Sequence, residues 1–267
     1  MTLLEAFSPQ KFKSRDADGQ HATAAVLQLI ERLRRERTSA WAWRNFEDTV
    51  LRLMSATSTK NVMEIGAGRR PMLTGKQIAS LNVSYTANDI SESELARAPA
   101  FVSKACFDIA GKVGLAPLAN RYDLIFSKMV FEHIPDTRQA YLNILRLLAP
   151  GGICINYHPV LYSPPFLINL MLPDAVTAPI LRRFSPRRHD GDLPKFPAKY
   201  NRCVISAKLR GDLRDLGFRE VWQIPFFYHG YFTKIPGLFQ LDRSLSKAAE
   251  HRDWQGLASF CYTIAMK

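Results

Sequence analysis

Met63-Glu64-Ile65-Gly66-Ala67-Gly68-Arg69-Arg70 is an apolar, strand-like run that ends in a glycine turn. Glycines at a strand-to-helix turn let the backbone approach a ligand closely and point free N–H groups at its anionic part. A Gly-x-Gly pair alone is weak evidence, and a dinucleotide-binding turn would need a third glycine where Pro71 stands. The turn therefore indicates a ligand-binding loop. Pro71 and the Glu64 carboxylate before the turn disfavour a nicotinamide-dependent enzyme.

The run opens a series of alternating strand and helix patterns. Predicted strands cover 61–65, 83–88, 101–107, 122–127 and 152–157, and predicted helices cover 73–81 and 137–148. Such alternation favours an α/β fold with a mostly parallel sheet and right-handed crossovers. Two further predicted strands, 218–227 and 259–266, are expected to pair antiparallel at one edge. Ligands of such sheets bind at the carboxyl ends of the strands, so the residues after each strand matter most.

The segments outside this series predict two additions to the sheet. Helical patterns at 22–37 and 43–54 predict an N-terminal helical cap over 1–57, ahead of a main domain over 58–267. Prolines and arginines interrupt the alternation at 158–204, which we interpret as a lid inserted after the fifth strand.

Composition limits the class of protein and its partners. The chain has 267 residues, 47% of them apolar, which is enough for one sizeable core. The 36 Lys and Arg residues against 24 Asp and Glu leave a net charge of +12, which favours anionic partners. No segment is apolar and long enough to predict a membrane-spanning helix, and no signal peptide is recognisable at the N-terminus.

The four cysteines are far apart in the sequence and never form a CxxC pair. They are Cys106, Cys154, Cys203 and Cys261, and three of them lie in apolar runs. This spacing disfavours zinc, and no metal site is predicted. We expect reduced thiols in the core of a cytoplasmic protein.

Two carboxylates follow predicted strands. Asp89 ends the second strand, where it could accept hydrogen bonds from a pair of ribose hydroxyls, and Asp108 ends the third, where it could accept one from an adenine amino group. A turn or an N-cap is the structural alternative for Asp89.

Five segments in order resemble class I S-adenosylmethionine-dependent methyltransferases. They are Glu64-x-Gly66-x-Gly68, Asp89, Asp108, the stretch from Tyr122 through Ser127 to Asp136, and Leu147-Leu148-Ala149-Pro150-Gly151-Gly152. The resemblance implies a Rossmann-like, seven-stranded sheet and S-adenosylmethionine as cofactor. Arg70 stands where many members of the family have a third glycine, which leaves the shape of the loop open.

The resemblance also implies roles for individual residues. Gly66, Ala67 and Gly68 would hold the methionine carboxylate of the cofactor, and Glu64 would contact its amino group. Asp89, with Ile90 beside it, would bind the ribose. Asp108 would bind the adenine, next to the backbone of Ile109. Ser127 and Met129 would line the channel near the sulfonium.

Methyl transfer from a sulfonium needs mainly alignment of the acceptor, and a general base is needed only for an acceptor such as a hydroxyl. His158, after the fifth strand, and His133, after the fourth, are the candidate catalytic bases, although either could be structural. His229 lies among aromatic residues and is expected to be buried.

The acceptor is predicted to be a small molecule, a glycan or a lipid-linked molecule that is methylated on oxygen, or else on nitrogen. The apolar run 166–172, followed by Arg182, Arg183, Arg187 and Arg188, adds an anionic membrane surface as a partner, at the inner face of the membrane. A lid helix folded on its own core is the simpler interpretation. The oligomeric state is left open.

Two alternatives stay open. Ser163-Pro164-Pro165-Phe166 is similar to the motif with which adenine-N6 DNA methyltransferases grip a flipped base, but it follows the fifth strand instead of the fourth. Nucleic acid is therefore the disfavoured partner. The other alternative is a non-catalytic subunit that binds the cofactor and supports a partner.

Overall fold

A computed structural model of the chain describes residues 18–112, 115–171 and 196–267. Its sheet has seven strands in the order β3-β2-β1-β4-β5-β7-β6. The strands are β1 (Asn61–Ile65), β2 (Ser84–Asp89), β3 (Ser103–Cys106), β4 (Tyr122–Lys128), β5 (Leu148–Pro159), β6 (Glu220–Phe226) and β7 (Phe260–Met266).

Strands β1 to β5 pair in parallel, whereas β7 lies antiparallel between β5 and β6. The predicted Rossmann-like sheet, mostly parallel with an antiparallel C-terminal strand, is confirmed. Because β6 runs in the same direction as β5, its carboxyl end lies at the same edge of the sheet as those of β1, β2 and β4. This edge, the carboxyl edge, carries the candidate site.

The helices are α1 (Asp18–Arg35), α2 (Ser39–Ala56), α3 (Gly75–Leu81), α4 (Glu92–Ala96), α5 (Thr137–Leu147), α6 (Pro164–Met171), α7 (Ala207–Leu216) and α8 (Pro236–His251). Local residue types fix where several of these helices begin and end. Thr74 and Gln77 form a capping box at the start of α3, and Gly217 follows α7 with φ +120°. None of the helices in the described ranges is long and apolar enough to cross a membrane.

The predicted fifth strand is six residues shorter than β5, four at its start and two at its end. The breaker Ala149-Pro150-Gly151-Gly152 lies inside the strand. Leu148 already pairs with Tyr122, and the register shifts before the pairing resumes. Gly151 has φ +74°, and a Cβ on Gly152 would lie 2.8 Å from the carbonyl oxygen of Ala149. The cluster ends α5, as predicted, but the strand bulges through it instead of starting after it.

The two N-terminal helices share one hydrophobic core with the sheet. Val26 and Leu33 of α1 are buried, and the Phe46 ring of α2 lies 5.3 Å from that of Tyr262 and 5.7 Å from that of Tyr157. Helix α2 therefore covers one face of β4, β5 and β7. The division at residue 57 stays a prediction, since no gap in the packing separates the helices from the sheet.

The inserted segment leaves β5 after Pro159 and forms α6. It returns beside the loop that follows β4, where the Lys199 and Tyr200 amides donate to the Glu132 carbonyl at 2.6 and 3.0 Å. The predicted basic cluster Arg182, Arg183, Arg187 and Arg188 lies outside the described residues.

Candidate functional site

The glycine turn is wedged between the ends of β2 and β4. Gly66 has φ +71° and Gly68 has φ +51°, a left-handed conformation that glycine adopts without strain. A Cβ on Gly66 would lie 2.5 Å from Cγ2 of Val130, and the Ala67 amide donates to the Asn88 carbonyl at 3.0 Å. A glycine is therefore required at position 66 by both conformation and space.

The Asp89 carboxylate lies beside this turn. Its Oδ1 accepts from the Ser91 amide at 2.9 Å, and its Oδ2 lies 3.5 Å from where a Cβ of Gly68 would stand. The side chain is half-buried, and its orientation is held by its own local turn. A carboxylate next to a glycine turn at the carboxyl edge suits a ligand that carries both hydroxyl groups and an anionic end.

Glu64, two residues before Gly66, is buried, and the loop between β1 and α3 provides one of its hydrogen-bond donors. Its Oε2 accepts hydrogen bonds from the Met72 amide at 2.9 Å and from the Tyr85 hydroxyl. Burial raises the pKa of this carboxyl to about 7, against the opposing effects of Tyr85, Met72 and the Lys128 charge. Glu64 thus titrates near neutral pH, next to the predicted cofactor loop.

A bidentate ion pair, which the sequence did not reveal, ties the turn to α4. Arg69 donates from Nε and Nη2 to the two carboxylate oxygens of Glu94 at 2.6 and 2.7 Å. Hydrogen bonding from Arg69 lowers the pKa of Glu94. Arg69 and Glu94 lie 25 positions apart, so only the fold brings them together.

The end of β3 places its residues in different environments. Asp108 is exposed and its Oδ1 accepts from the Ala110 amide at 2.8 Å, whereas Ile109 is buried and its carbonyl accepts from Asn143 at 2.8 Å. Ile90, after β2, is exposed. Asp108, Ile109 and Ile90 thus lie at the carboxyl edge, as their strand positions predict.

The structure separates the two residues predicted near the sulfonium. Ser127 is fully buried and its Oγ bonds Oδ1 of Asn156 at 2.8 Å, so its side chain does not reach the carboxyl edge, and the place of Ser127 near the sulfonium stays a prediction for its backbone. Side chains alternate along a strand, and Ser127 faces away from Phe126, whose ring meets that of Phe46 in α2. Met129 is half-buried after the strand, with φ +58° and its amide donating to the Tyr157 carbonyl at 2.8 Å.

His158 does not face an acceptor, and that prediction is wrong. The side chain is buried within β5, where Nδ1 is 2.9 Å from the Pro159 carbonyl oxygen and Nε2 is 2.9 Å from Oγ1 of Thr263. Burial lowers the pKa of the ring to about 4, so it stays neutral. The physical reason is the length of β5, which continues to Pro159 and keeps His158 inside the ladder.

His133 remains in place as a candidate. It ends a short 3-10 turn after β4, is about one-third exposed, and has Nδ1 3.4 Å from the Pro197 carbonyl oxygen. Burial lowers its pKa. His229 is buried, as expected, and its Nε2 lies 3.0 Å from Oδ1 of Asp242, a hydrogen-bond partner that the sequence analysis missed.

Lys128 and Trp43 are further residues of this edge that the sequence did not single out. The Lys128 ammonium donates to the Trp43 carbonyl at 3.1 Å and lies 4.2 Å from the centre of its ring. Burial lowers the pKa of Lys128. This contact holds the first turns of α2 over the end of β4, and no local sequence signal could have revealed it.

The segment Ser163-Pro164-Pro165-Phe166 starts α6 instead of forming a base-binding loop. The Ser163 carbonyl accepts from the Phe166 and Leu167 amides at 3.1 Å, and the Phe166 ring packs 5.4 Å from those of Tyr231 and Phe260. Because Phe166 is buried, it cannot stack on a base, which disfavours the DNA methyltransferase alternative.

Cys154, Cys203 and Cys261 are buried and Cys106 is exposed, all as free thiols. Nowhere in the described ranges do three or more His, Cys, Asp or Glu residues gather as metal ligands would.

Comparison with known proteins identifies the family. A family model described as a methyltransferase domain matches residues 28–175, more than half of the chain. No curated protein matches this chain.

Several solved structures share the fold at low sequence identity. An S-adenosylmethionine-dependent methyltransferase from Archaeoglobus fulgidus is 17% identical over 84% of this chain and 94% of its own, with a TM-score of 0.51. Phosphoethanolamine N-methyltransferase 2 of Haemonchus contortus, in complex with S-adenosylmethionine, has the same identity and TM-score over 84% of this chain and 52% of its own. The DszA carbon methyltransferase is 15% identical, with a TM-score of 0.52, over 84% and 54%. This chain thus spans about half the length of the Haemonchus and DszA structures.

Proposed function

Because the chain belongs to the methyltransferase domain family, we propose that it is an S-adenosylmethionine-dependent methyltransferase that methylates an oxygen or nitrogen of a small, glycan or lipid-linked acceptor. One observation carries the proposal for the site. The left-handed Gly66–Gly68 turn, closed against Val130, lies beside the Asp89 carboxylate at the carboxyl edge of the sheet.

The chain's residues fit the cofactor. Glycines let the turn close against Val130 without strain, and Asp89 would supply a carboxylate for the ribose hydroxyls. Asp108 and the backbone of Ile109 would receive the adenine. Glu64, as a carboxylate, would attract the cofactor's amino group, and Met129 would lie near the sulfonium.

Bound S-adenosylmethionine supplies an electrophilic methyl group on sulfur. The chain's own task is then to align an acceptor atom behind that carbon and to exclude water. For a hydroxyl acceptor, His133 would take the proton, since its lowered pKa keeps the ring neutral at pH 7. Such a base supports the oxygen alternative, whereas a neutral amine acceptor needs none.

Tyr157 marks where the acceptor would bind. Its hydroxyl is buried on β5 and has no hydrogen-bond partner among the described residues, although a buried hydroxyl without one costs stability. The ring lies 6.1 Å from that of Trp43, which is half exposed. We propose that the acceptor's polar group bonds this hydroxyl.

The exposed face of α6 favours a lipid-linked acceptor. We propose that the protein acts in the cytoplasm, at an anionic membrane surface. Leu170 and Met171 of α6 are exposed at 46% and 73%, and the helix contains no charged residue. An exposed apolar helix on a basic protein suits the interface of an anionic membrane.

Calorimetric titration tests the donor site. The protein is expected to bind S-adenosylmethionine and not NAD, and Asp89→Ala to weaken that binding by about 1–3 kcal/mol, the scale of lost hydrogen bonds to a buried charge. Asp48→Ala on α2, which removes an exposed carboxylate paired with Arg52, is the matched control. Unchanged affinity in Asp89→Ala would remove Asp89 from the site.

Turnover with labelled methyl donor tests the acceptor side. Screens of small amines, sugars, lipid-linked glycans and nucleic acids are expected to show transfer to one of the first three. Tyr157→Phe is expected to slow transfer by roughly tenfold while leaving the donor affinity unchanged. Donor binding without methyl transfer to any of these acceptors would favour a non-catalytic subunit. Steeply salt-dependent transfer to nucleic acid would favour a nucleic-acid methyltransferase.

A further inference from the structure

A cavity separate from the glycine turn opens on the α7 side of the carboxyl edge. It has a volume of about 670 Å3 and lies between the loops after β4 and β5 and the first turns of α7. We call it the basic cavity and define it by Tyr162, Lys199, Arg202, Lys208 and Asp212. None of these residues belongs to the predicted donor site.

Positive charge exceeds negative charge in this cavity by two. Among the described residues that line it, Asp212 is the only acid and is already paired, accepting from Arg202 Nη1 at 2.7 Å and from Lys208 Nζ at 2.9 Å. Lys199 is exposed, and its ammonium has no ion pair or hydrogen bond with another residue that the structure describes. An unpaired ammonium beside an arginine is a frequent arrangement for holding an oxyanion.

The backbone that carries Lys199 and Arg202 is held in place by the loop after β4. Besides the two amide bonds to the Glu132 carbonyl, the side chain of Asn201 donates to the Pro135 carbonyl. Tyr200 and Arg202 have φ of +50° and +56°, and the Tyr200 hydroxyl accepts from Asn169 at 2.9 Å. The backbone at Lys199 and Arg202 is therefore fixed before any ligand arrives, and Asp212 also holds the Arg202 side chain, which reduces the entropy lost on binding.

The wall of the cavity is suited to an organic phosphate more than to a simple ion. Tyr162 is half exposed at the rim, next to Leu161, and offers an apolar ring for the part of a ligand that adjoins its charge. The N-terminus of α7, capped by Ser206, adds the positive end of a helix dipole.

We propose that the basic cavity binds a phosphate ester, and that this phosphate is the anionic part of the methyl acceptor. The assignment rests on the proposed function. The two are connected because the loop after β4 that holds the Lys199 backbone also carries His133. The cavity would fix one end of the acceptor while its reactive atom reaches Tyr157. The same phosphate chemistry occurs in free phosphate esters and in lipid headgroups.

Titration of the full-length protein with inorganic phosphate, at constant ionic strength, tests the cavity. Saturable binding is expected, weakened roughly fivefold or more in Lys199→Glu and strengthened in Asp212→Asn, because each exposed charge contributes up to about 1 kcal/mol. Lys104→Glu, which makes the same charge change on the edge strand β3, is expected to leave phosphate affinity unchanged. Equal phosphate affinity in Lys199→Glu, Lys104→Glu and the unchanged protein would overturn the proposal.

Binding of S-adenosylmethionine, measured on the same samples, separates this proposal from the previous one. Donor binding with no saturable phosphate binding overturns the cavity alone, and loss of both overturns the proposed function as well. Glycerol 3-phosphate and vesicles that contain phosphatidic acid then distinguish the sources. Lys199-dependent binding of the former supports a free phosphate ester, and Lys199-dependent binding of the vesicles alone supports a lipid headgroup.

Discussion

Gly66 lies in the predicted cofactor turn, and both its backbone conformation and the space around it require glycine. Its φ of +71° costs little for glycine and on the order of 1–3 kcal/mol for another residue, and Val130 occupies the space of a side chain. A single methyl group therefore separates a functional turn from a strained one.

Gly66→Ala is expected to lower the free energy of unfolding by about 1–3 kcal/mol and to weaken S-adenosylmethionine binding together with it. Chemical denaturation and calorimetry on the same preparation measure both. Gly230→Ala is the control, because Gly230 has no positive φ and no atom within 4 Å of an added Cβ. Equal effects of the two substitutions would contradict the account of the turn.

Glu64 makes stability depend on pH. Its pKa is raised from 4.5 to about 7 in the folded protein, so the folded state holds a proton that the unfolded chain has already lost between these values. The free energy of unfolding is therefore expected to fall, by on the order of 3 kcal/mol from this group, as the pH rises from about 4.5 to 7.

Thermal unfolding across this pH range checks the sign. Glu64→Gln keeps the shape of the side chain without a titratable group, and its stability is expected to decline less over the same range. A stability that rises equally with pH in both proteins would show that the buried carboxyl does not dominate.

At the scale of elements, α2 connects the N-terminal segment to the site. Its Phe46 packs on rings from β4, β5 and β7, while Lys128 at the end of β4 binds the carbonyl and the ring of Trp43. The first residue of α2 is tied to the residue that follows β6, since the Ser39 amide donates to the Phe227 carbonyl at 2.8 Å. The helix is thus part of the sheet's packing and not a detachable cap.

Phe46→Ala is expected to cost about 3–5 kcal/mol of stability, because the ring is fully buried among aromatic neighbours. Trp43→Ala, one turn earlier and half exposed, is expected to cost about 1 kcal/mol or less, chiefly the contact with Lys128. Urea titration of both proteins compares them. Similar losses would mean that α2 is held by its exposed face and not by the core.

At the scale of the whole molecule, the carboxyl edge separates two kinds of binding surface. The glycine turn and Asp89 lie on the β1–β2 side, where the predicted donor site carries carboxylates. The basic cavity lies on the far side of β4, near α7, with its excess of positive charge. A cationic donor and an anionic acceptor would therefore approach from opposite sides and meet at the ends of β4 and β5.

The order of elements and the place of the proposed donor site follow from the sequence alone. Alternating apolar runs specify a parallel sheet, and left-handed turns specify glycine, so Gly66, Gly68, Asp89 and Asp108 could be assigned to the carboxyl edge from local chemistry. These features depend on neighbours in the sequence, and the predicted sheet accordingly matches the observed one.

Only the tertiary structure decided which side chains face the site. One residue more or less in a strand reverses the direction of every side chain, and this parity buried His158 and Ser127 in the sheet although both lie near strand ends. The Arg69–Glu94 pair, the Lys128–Trp43 contact and the basic cavity join segments far apart in the chain. Their energies depend on distance and burial, which the packing of the whole molecule sets.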